Sequence, residues 1–299
     1  MSKQLQAHLG LILAMIIWGS SFVALKVSIQ EIPGMQVIFY RLLIALIFFA
    51  ILWPLVRPSF QYQAGDWKYL LALSLFEPCL YFIFETLALE YTSAAQAGMI
   101  TSMLPIMIAV SALIFLGERS NTKQWFGLGL AVFGVMLMSV FSEDNAHATN
   151  APLGNFLEFL AMCTAAGYTL ITKKLVARYS AFVITAIQCL IGTLFFLPLA
   201  LSSPDVGELS LESILCVFYL GIIVSIGAYG LYNYSLGFVN ATVAGAYINL
   251  IPISALLIAW LYLDEALNFV QYSAIALIFV GVYLSRELPS SNRALASTD

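Results

Sequence analysis

The sequence contains an internal duplication with a constant offset of 147 residues and no gaps. Pro105 in the first half corresponds to Pro252 in the second, since 252 − 105 = 147. A chain built from two copies of one unit is expected to fold as two similar halves that pack against each other. Other pairs with this offset are Ala14 and Ala161, Lys26 and Lys173, Phe48 and Phe195, Gly98 and Gly245, Glu118 and Glu265, and Gln124 and Gln271.

The composition predicts that both copies are embedded in a membrane. Hydrophobic residues make up 62% of the chain and charged residues 9%, whereas soluble domains have about 45–50% and about 25%. Apolar stretches of roughly 20 residues are long enough to cross a hydrocarbon core of ~30 Å as helices. We predict an all-α integral membrane protein with ten transmembrane helices. They cover residues 9–29, 34–56, 66–89, 94–116, 122–141, 153–177, 181–201, 211–236, 241–263 and 268–286.

Each copy therefore holds five helices. Residues 1–141 form the first repeat, 142–152 an outer linker, 153–286 the second repeat and 287–299 a cytoplasmic polar tail. Because five is odd, the second copy enters the membrane from the opposite side, which makes the repeats inverted. The first apolar stretch is longer than the apolar region of a signal peptide, so we expect it to remain as helix one.

The basic residues lie on one side of this topology. Under the positive-inside rule, both termini are cytoplasmic. Lysines and arginines occupy the termini and the connections after helices two, four and six, at Lys3, Arg57, Lys68, Arg119, Lys123, Lys173, Lys174, Arg178, Arg286 and Arg293. The opposite connections are acidic, at Glu31, Glu90, Glu143, Asp144, Asp205, Glu208, Asp264 and Glu265.

Inverted repeats are typical of secondary transporters, in which a site between related halves opens alternately to either side. An intramembrane enzyme needs a nucleophile with a base or a metal set. The histidines are His8, at a membrane edge, and His147, in a loop, and no zinc-protease or hydrolase motif is present. We expect no enzyme activity, no cofactor, no metal and no nucleic-acid partner. A receptor or structural membrane protein is the alternative of another class.

Several motifs resemble those of one transporter family, the EamA branch of the drug/metabolite transporter superfamily. They are Trp18-Gly19-Ser20-Ser21-Phe22, Leu104-Pro105 followed by Phe115-Leu116-Gly117-Glu118-Arg119, Tyr232-Asn233-Tyr234-Ser235-Leu236, and Leu250-Ile251-Pro252 with Trp260 to Glu265. The resemblance implies a bacterial inner-membrane permease in which helices one to four and six to nine surround a central cavity. Helices five and ten would lie at the periphery. Glu77 and Glu85 depart from the family pattern and suggest a subgroup with its own substrate.

Prolines mark the helices expected to line the cavity. Pro105 and Pro252 each remove a backbone donor in mid-helix, and broken helices at membrane depth face protein or a water-filled cavity. Pro78 predicts a kink in helix three beside Glu77. A kink that only shapes packing is the alternative interpretation. Gly127, Gly129 and Gly134, with Ala274 and Gly281 in the second copy, favour close packing of helices five and ten or a homodimer contact.

Charged residues inside the predicted helices are the sharpest functional signal, because such residues usually face an interior path and have partners. By helix rise, Arg41 lies ~10 Å and Glu85 ~6 Å below the outer surface, so they can pair, with Lys26 as a competitor. Glu77 lies ~15 Å deep, at the midplane. A carboxyl there can take up and release a proton during transport. A static salt bridge or hydrogen-bonded acid is the alternative role.

Glu77, Tyr81 and Glu85 project from one side of helix three, since a separation of eight residues corresponds to about 80°. We expect the second copy to supply no matching charge, because Val224, Tyr232 and Gln188 replace Glu77, Glu85 and Arg41 under the offset. The remaining site candidates are polar. They are Gln96, Thr101, Ser102, Tyr168, Gln188, Tyr229, Tyr232, Asn233, Tyr247 and Asn249.

Mixed charge beside aromatic groups suits a small zwitterion with an apolar body, such as an amino acid. The sequence therefore predicts export or exchange of such a metabolite, with proton coupling through Glu77. An organic cation with Glu77 as its counter-charge is the close alternative, followed by a nucleoside or another metabolite.

Overall fold

The computed structural model describes residues 3–108, 111, 122–140, 149–239, 244, 247–263 and 268–285. The regular elements in these ranges are helices, as expected where the lipid cannot satisfy exposed backbone groups. In the first half they are α1 Lys3–Ser28, α2 Gly34–Val56, α3 Trp67–Tyr91, α4 Ala94–Ile108 and α5 Thr122–Val140. In the second half they are α6 Ala151–Leu175, α7 Ala181–Leu201, α8 Leu211–Leu236, α9 Leu250–Leu263 and α10 Phe269–Ser285.

Most helix bounds agree closely with the predicted stretches, but two helices differ. A turn at Asn249 interrupts the stretch predicted over 241–263, so α9 begins at Leu250. Helix α1 begins at Lys3, six residues before the predicted start at residue 9. Its polar first turns are held by α8, because Ser235 Oγ donates to the carbonyl of Ala7 at 2.9 Å. The helix therefore extends beyond the apolar stretch that marked it in the sequence.

Five of these helices are long and apolar enough to cross a membrane by length and composition. They are α1, α2, α3, α7 and α8. The apolar segments Ala94–Ile108, Leu250–Leu263 and Tyr272–Gly281 are shorter within the described residues. The Phe115 to Arg119 motif, most of the linker, the beginning of predicted helix nine and the tail after residue 286 lie outside the described residues.

The two halves break their third helix at the same place in the repeat. A π-helical segment interrupts α3 over Leu75–Leu80 and another interrupts α8 over Leu220–Ala228. Shifted by 147, the first segment falls on residues 222–227, inside the second. The duplication therefore specifies an irregularity of the backbone as well as the helices themselves.

A lysine closes the end of this helix in each half. Its ammonium group donates to two backbone carbonyls that have no partner within the helix, and cations are favourable at such helix ends. Lys26 Nζ donates to the carbonyls of Leu89 and Thr92, the latter at 2.8 Å. Lys173 Nζ donates to the carbonyls of Leu236 and Val239 at 2.7 and 2.9 Å.

Helices α5 and α10 pack mainly against each other, and α10 also packs against α4 through Met99 and Ile106. A Cβ atom added at Gly134 would lie 2.8 Å from Ile278 Cγ1 and 2.9 Å from the carbonyl of Ala274. The expected close packing at Gly134 and Ala274 is therefore observed. Gly129 has no neighbouring atom within 4 Å of such a Cβ and does not share this role.

Two polar contacts between connections join the halves, and each is called a latch here. Asp66, just before α3, accepts from Arg178 Nη1 at 2.6 Å and from the Tyr179 hydroxyl at 2.8 Å. Glu31, after α1, accepts from the backbone N and the Oγ of Ser210 at 2.9 and 3.0 Å. The offset of 147 carries Glu31 onto Arg178, and Asp66 onto Ser213 beside Ser210. The two latches are therefore related by the repeat.

Both latch carboxyls are held ionised. Burial opposes ionisation of Asp66, but the hydrogen bonds from Tyr179 and Arg178 and the nearby positive charges outweigh it and lower its pKa. The backbone hydrogen bond from Ser210, followed by those from the Ser213 and Ser210 hydroxyls, lowers the pKa of Glu31. Of the two latches, the one at Asp66 includes an ion pair.

Candidate substrate site between the repeats

A cavity lies between the two halves. Its described walls come from α1, α2, α3, α4, α6, α8 and the segment around Ile248 and Ile251. Eight of the candidate residues line it, namely Arg41, Glu77, Tyr81, Glu85, Thr101, Tyr168, Tyr229 and Tyr232. The lining also includes Trp18, Ser21, Phe22, Phe82, Leu104, Met162, Ala165, Thr169, Val224, Ile248 and Ile251.

The cavity walls follow the duplication. Most lining positions occur as pairs separated by 147, so each half contributes the same faces of its first, third and fourth helices. The pairs are Trp18 and Ala165, Ser21 and Tyr168, Phe22 and Thr169, Glu77 and Val224, Phe82 and Tyr229, Glu85 and Tyr232, Thr101 and Ile248, and Leu104 and Ile251. The shape is thus shared between the halves, whereas the chemistry of the side chains is not.

Glu77 lies where α3 is interrupted. Its backbone is extended, at φ −149° and ψ 115°, inside the π-helical segment that also contains Pro78. The carbonyl of Glu77 accepts from Gln188 Nε2 at 2.8 Å, and its carboxyl accepts from the Tyr229 hydroxyl. The second half therefore holds this residue by both backbone and side chain, two contacts that the sequence did not predict.

Arg41 and Glu85 line the same cavity but do not form the ion pair predicted from sequence. Arg41 Nε donates to Ser225 Oγ at 3.2 Å, and its guanidinium lies 4.3 Å from the centre of the Phe82 ring. Glu85 instead accepts from the Tyr81 hydroxyl at 2.9 Å. The π-helical segment of α8 presents Ser225 to Arg41, and the aromatic face of Phe82 adds a cation–π contact. The predicted pairing is therefore wrong.

Lys26 is also not a competitor for Glu85. It is buried and donates to carbonyls at the end of α3, the structural role that Lys173 has in the other half. The sequence already showed that Lys26 and Lys173 are separated by the offset of 147. A residue that recurs in both halves in this way is the kind expected to have a structural role.

The other polar candidates lie outside the main cavity. Gln188 lines a smaller adjoining cavity with Glu77 and Ser225. The remaining candidates form hydrogen bonds within the protein. Gln96 Oε1 accepts from Asn155 Nδ2 at 3.0 Å, and Ser102 Oγ donates to the carbonyl of Met99 at 2.7 Å. Asn233 bonds to the Tyr168 hydroxyl at 2.7 Å and to Thr185 Oγ1 at 3.0 Å, and the Tyr247 hydroxyl bonds to His8 Nδ1 at 2.9 Å. Asn249 occupies the turn before α9 and does not line the cavity.

The fourth helix of each half is irregular next to its proline. A 3₁₀ turn over Thr101–Met103 precedes Pro105 in α4. In the second half, Pro252 lies in the first turn of α9, just after the turn at Asn249. Thr101 and Ile248 reach the cavity from these breaks. The prolines thus mark equivalent interruptions beside the cavity.

Aromatic side chains form one wall of the cavity. The centroid of the Trp18 ring lies 4.9 Å from the centroid of the Tyr232 ring and 5.1 Å from that of Tyr229. The rings of Tyr168 and Tyr232 are stacked, with their centroids 6.3 Å apart. Sequence reasoning placed Trp18 in a family motif and missed it as a lining residue. Aromatic faces of this kind attract cationic groups and cover apolar ones.

Glu158, a buried acid of the second half, was also missed by the sequence analysis. It lies on α6, is fully buried, and neither of its carboxyl oxygens has a hydrogen-bond partner in the described part of the chain. The signal that could have found it is the one that marked Glu77, because Glu158 falls inside the apolar stretch predicted over 153–177.

The sequence profile of the EamA-like transporter family matches residues 5–140 and 152–286, which together span most of the chain. The chain belongs to the EamA-like transporter family. It is accordingly a multi-pass membrane protein with a transport function, and its two family matches correspond to the two repeats seen in the structure.

Relatives of this EamA-like transporter cover nearly its full length. The uncharacterized transporter YetK of Bacillus subtilis is 31% identical, over 95% of this chain and 87% of YetK. A probable amino-acid metabolite efflux pump of Escherichia coli is 24% identical, over 92% of each chain. A crystal structure with 20% identity has a TM-score of 0.67 and covers 93% of this chain and 96% of the other, which supports the fold.

Proposed function

We propose that this EamA-like transporter exports or exchanges an amino acid or a related zwitterion by alternating access. The observation that carries the proposal is a cavity between the repeats that presents Arg41 together with the carboxyls of Glu77 and Glu85. A zwitterion offers both charges to such a lining, and the aromatic wall can cover an apolar side chain. The name of the Escherichia coli relative agrees with this substrate class.

The transport cycle requires the two repeats, 1–141 and 153–286, to be inverted across ten spans of the bacterial inner membrane. The two latches support this arrangement, since the repeat places one in the basic connections and the other in the acidic ones. Rocking of one half against the other would then break one latch at a time.

The proposed topology can be tested with reporters fused after Asp299, inserted at Arg57 and inserted at Asn145. The first two should report the cytoplasm and the third the outside. If Arg57 and Asn145 lie on the same side, the inverted repeat is refuted. The measurement is alkaline phosphatase and fluorescent-protein activity of each fusion in cells.

Glu77 is proposed to meet the substrate or to carry a coupling proton at the midplane. It lies at the backbone break of α3, faces the cavity, and touches Tyr229 and Gln188 of the other repeat. Rocking of the halves would change these contacts. A carboxyl whose partners differ between two states changes its affinity for a proton or for an ammonium group between them.

The Glu77→Gln variant tests this role, because it preserves size and hydrogen bonding but removes titration. In proteoliposomes, we expect it to lose substrate accumulation driven by a pH gradient and to retain exchange of substrate across the membrane. The matched control is Glu212→Gln, which removes an exposed carboxyl at the start of α8. Accumulation equal to that of the parent between about pH 5.5 and 8 would refute the role of Glu77.

An organic cation is the second candidate substrate. It is favoured by the aromatic wall of Trp18, Tyr229 and Tyr232 and by the presence of two carboxyls but one guanidinium in the described lining. Thermal-shift screens of amino acids, organic cations and nucleosides separate these classes, because a bound ligand stabilises the folded protein. Stabilisation by cations that lack a carboxylate would replace the zwitterion proposal.

A further inference from the structure

Helices α3 and α6 pack side by side in opposite directions, and close contacts fix their register. A Cβ atom added at Gly154, early in α6, would lie 2.7 Å from the backbone N of Thr92, near the end of α3. A Cβ atom at Gly167, late in α6, would lie 3.1 Å from the ring of Phe76, near the beginning of α3. Between these points, Glu158 lies one turn from Gly154 and is therefore opposite Glu85.

The register thus brings two buried carboxyls together from different repeats. Glu85 is 4% exposed and Glu158 is fully buried, and the two interact electrostatically. Glu85 accepts from the Tyr81 hydroxyl at 2.9 Å, whereas both oxygens of Glu158 lack a hydrogen-bond partner in the described residues. Two buried carboxylates facing each other would repel strongly, and an unpaired buried charge is very unfavourable.

The other half of the molecule shows that helix packing does not require these carboxyls. The offset of 147 carries Glu85 onto Tyr232 and Glu158 back onto Leu11. Both counterparts are buried, on α8 and α1, in an interface where Ser235 Oγ donates to the carbonyl of Ala7. An apolar residue and a tyrosine therefore fill the equivalent positions. The carboxyl pair needs an explanation other than packing.

We propose that Glu85 and Glu158 form a proton-binding site that joins the two repeats and is distinct from Glu77. One proton is held by the pair. It resides on Glu158, and the negative charge resides on Glu85 of the facing helix. Uptake adds a proton from water to the pair, and release returns the same proton to water, so that the pair changes by one charge.

The surroundings of the pair explain why the two carboxyls differ. Glu85 receives a hydrogen bond from Tyr81 and lies near the positive charge of Arg41, so it is the member that carries the negative charge. Glu158 has no such donor among the described residues, so it is the member that carries the proton. The titratable and charged groups facing the pair are Tyr81 and Glu77 from α3, Arg41 from α2 and Tyr229 from α8.

The link to transport rests on the proposed function. Because Glu85 and Glu158 belong to different repeats, rocking of the halves would separate them. A separated Glu158 in contact with water would release its proton, and the return movement would rebind one. The site would therefore couple a proton to each conformational cycle.

Infrared spectroscopy of the purified protein in lipid tests the site without any transport. We expect a protonated-carboxyl absorption at neutral pH that shifts in deuterium oxide. In a Glu77→Gln background, which removes the other proposed proton carrier, this absorption should be lost in Glu158→Gln. An amide at this position keeps the size of the side chain and adds no charge, so this variant should fold. In Glu85→Gln, the absorption should persist without titrating, because Glu158 then has no charged partner. Glu212→Gln, at an exposed carboxyl, should match the parent.

An unchanged absorption in Glu158→Gln would overturn the proton site. So would an absorption in the parent that disappears when sodium replaces potassium, since the pair would then bind a metal cation. In proteoliposomes, Glu158→Gln should lose accumulation driven by a pH gradient but keep substrate exchange. The expected infrared result together with a parent protein that transports no tested metabolite would refute the proposed function and leave the proton site standing.

Discussion

The interface between α3 and α6 and its counterpart between α8 and α1 have the same architecture but different chemistry. In both, a lysine on the first helix of one repeat closes the end of that repeat's third helix. The first interface buries Glu85 against Glu158, and the second buries Tyr232 and Leu11 at the same positions. Duplication therefore preserved the backbone and the packing while the buried side chains diverged.

This comparison separates two kinds of polar residue. Residues that recur in both halves, such as Lys26 and Lys173, hold the architecture. Residues that occur in one half, such as Glu77, Glu85 and Glu158, have no counterpart that packing requires. Polar groups inside a membrane are unfavourable unless they have a function or a partner, so the unmatched ones are the functional candidates. Three predictions test the comparison, in order of decreasing effect.

The largest effect is expected from Lys26→Met. The substitution keeps most of the aliphatic chain but leaves the carbonyls of Leu89 and Thr92 without their donor in a buried site. Each orphaned group costs about 1–3 kcal/mol. Lys173→Met removes equivalent contacts in a partly buried site, where water can replace the donor, so its loss should be smaller. The free energy of unfolding by detergent denaturation measures both.

The matched control is Lys174→Met, at an exposed position beside Lys173. It should lose only the cation–π contact with the Tyr69 ring, worth about 0.5–1 kcal/mol at an exposed site. Equal losses for Lys26→Met and Lys173→Met would show that burial does not distinguish the two ends. A neutral Lys26→Met would remove the structural role and restore Lys26 as a candidate in the transport site.

The sequence predicted most of the helix bounds because the apolar stretches and the duplication are strong, independent signals. Pro78, Pro105 and Pro252 also marked where the third and fourth helices are irregular. The pairing of Arg41 was not predicted, because it depends on Ser225 in a π-helical segment of α8 that, unlike the one in α3, contains no proline to mark it. A side chain of this length can reach several partners, and the backbone break selects among them.

Glu158 illustrates a different limit. Its position in an apolar stretch was visible, but its significance depends on the register of α6 against α3. That register is set by Gly154 and Gly167, which allow close approach of the two helices. Hydrophobic pattern alone fixes which face of a helix is buried, and it does not fix which residue of a neighbouring helix lies opposite.

An intermediate effect is expected at Gly154, whose counterpart in the first half is Ala7. Gly154→Ala would place a Cβ atom 2.7 Å from the backbone N of Thr92, and overpacking of this kind costs about 1–3 kcal/mol. Ala7→Gly should cost about 0.5–1 kcal/mol through helix propensity. Denaturation measures both variants. A stabilised Gly154→Ala protein would contradict the close approach that sets the register of Glu158.

The smallest effect concerns the latches. The Asp66 latch contains an ion pair with Arg178, whereas Glu31 accepts from the neutral donors of Ser210. Hydrogen exchange of two amides reports on the two latches separately. The amide of Gln63 donates to the Tyr179 hydroxyl, which in turn donates to Asp66. The amide of Ser210 donates to Glu31. Added salt should accelerate exchange at Gln63 more than at Ser210, since it screens exposed charges.

The change at Gln63 should be less than about tenfold, because the Arg178 side chain is 38% exposed and contact with water weakens an ion pair. The pKa of Asp66 is lowered in the folded protein from its ordinary value of 3.8, so the latch should be fully formed above about pH 4 and weaken as the pH falls through the lower folded value. Asp66→Asn keeps the shape of the side chain but removes its charge, so it should abolish the salt dependence at Gln63 and leave Ser210 unchanged. Equal salt dependence at both amides would mean that the ion pair does not distinguish the two latches, and the asymmetry between the halves would then be confined to the buried carboxyls.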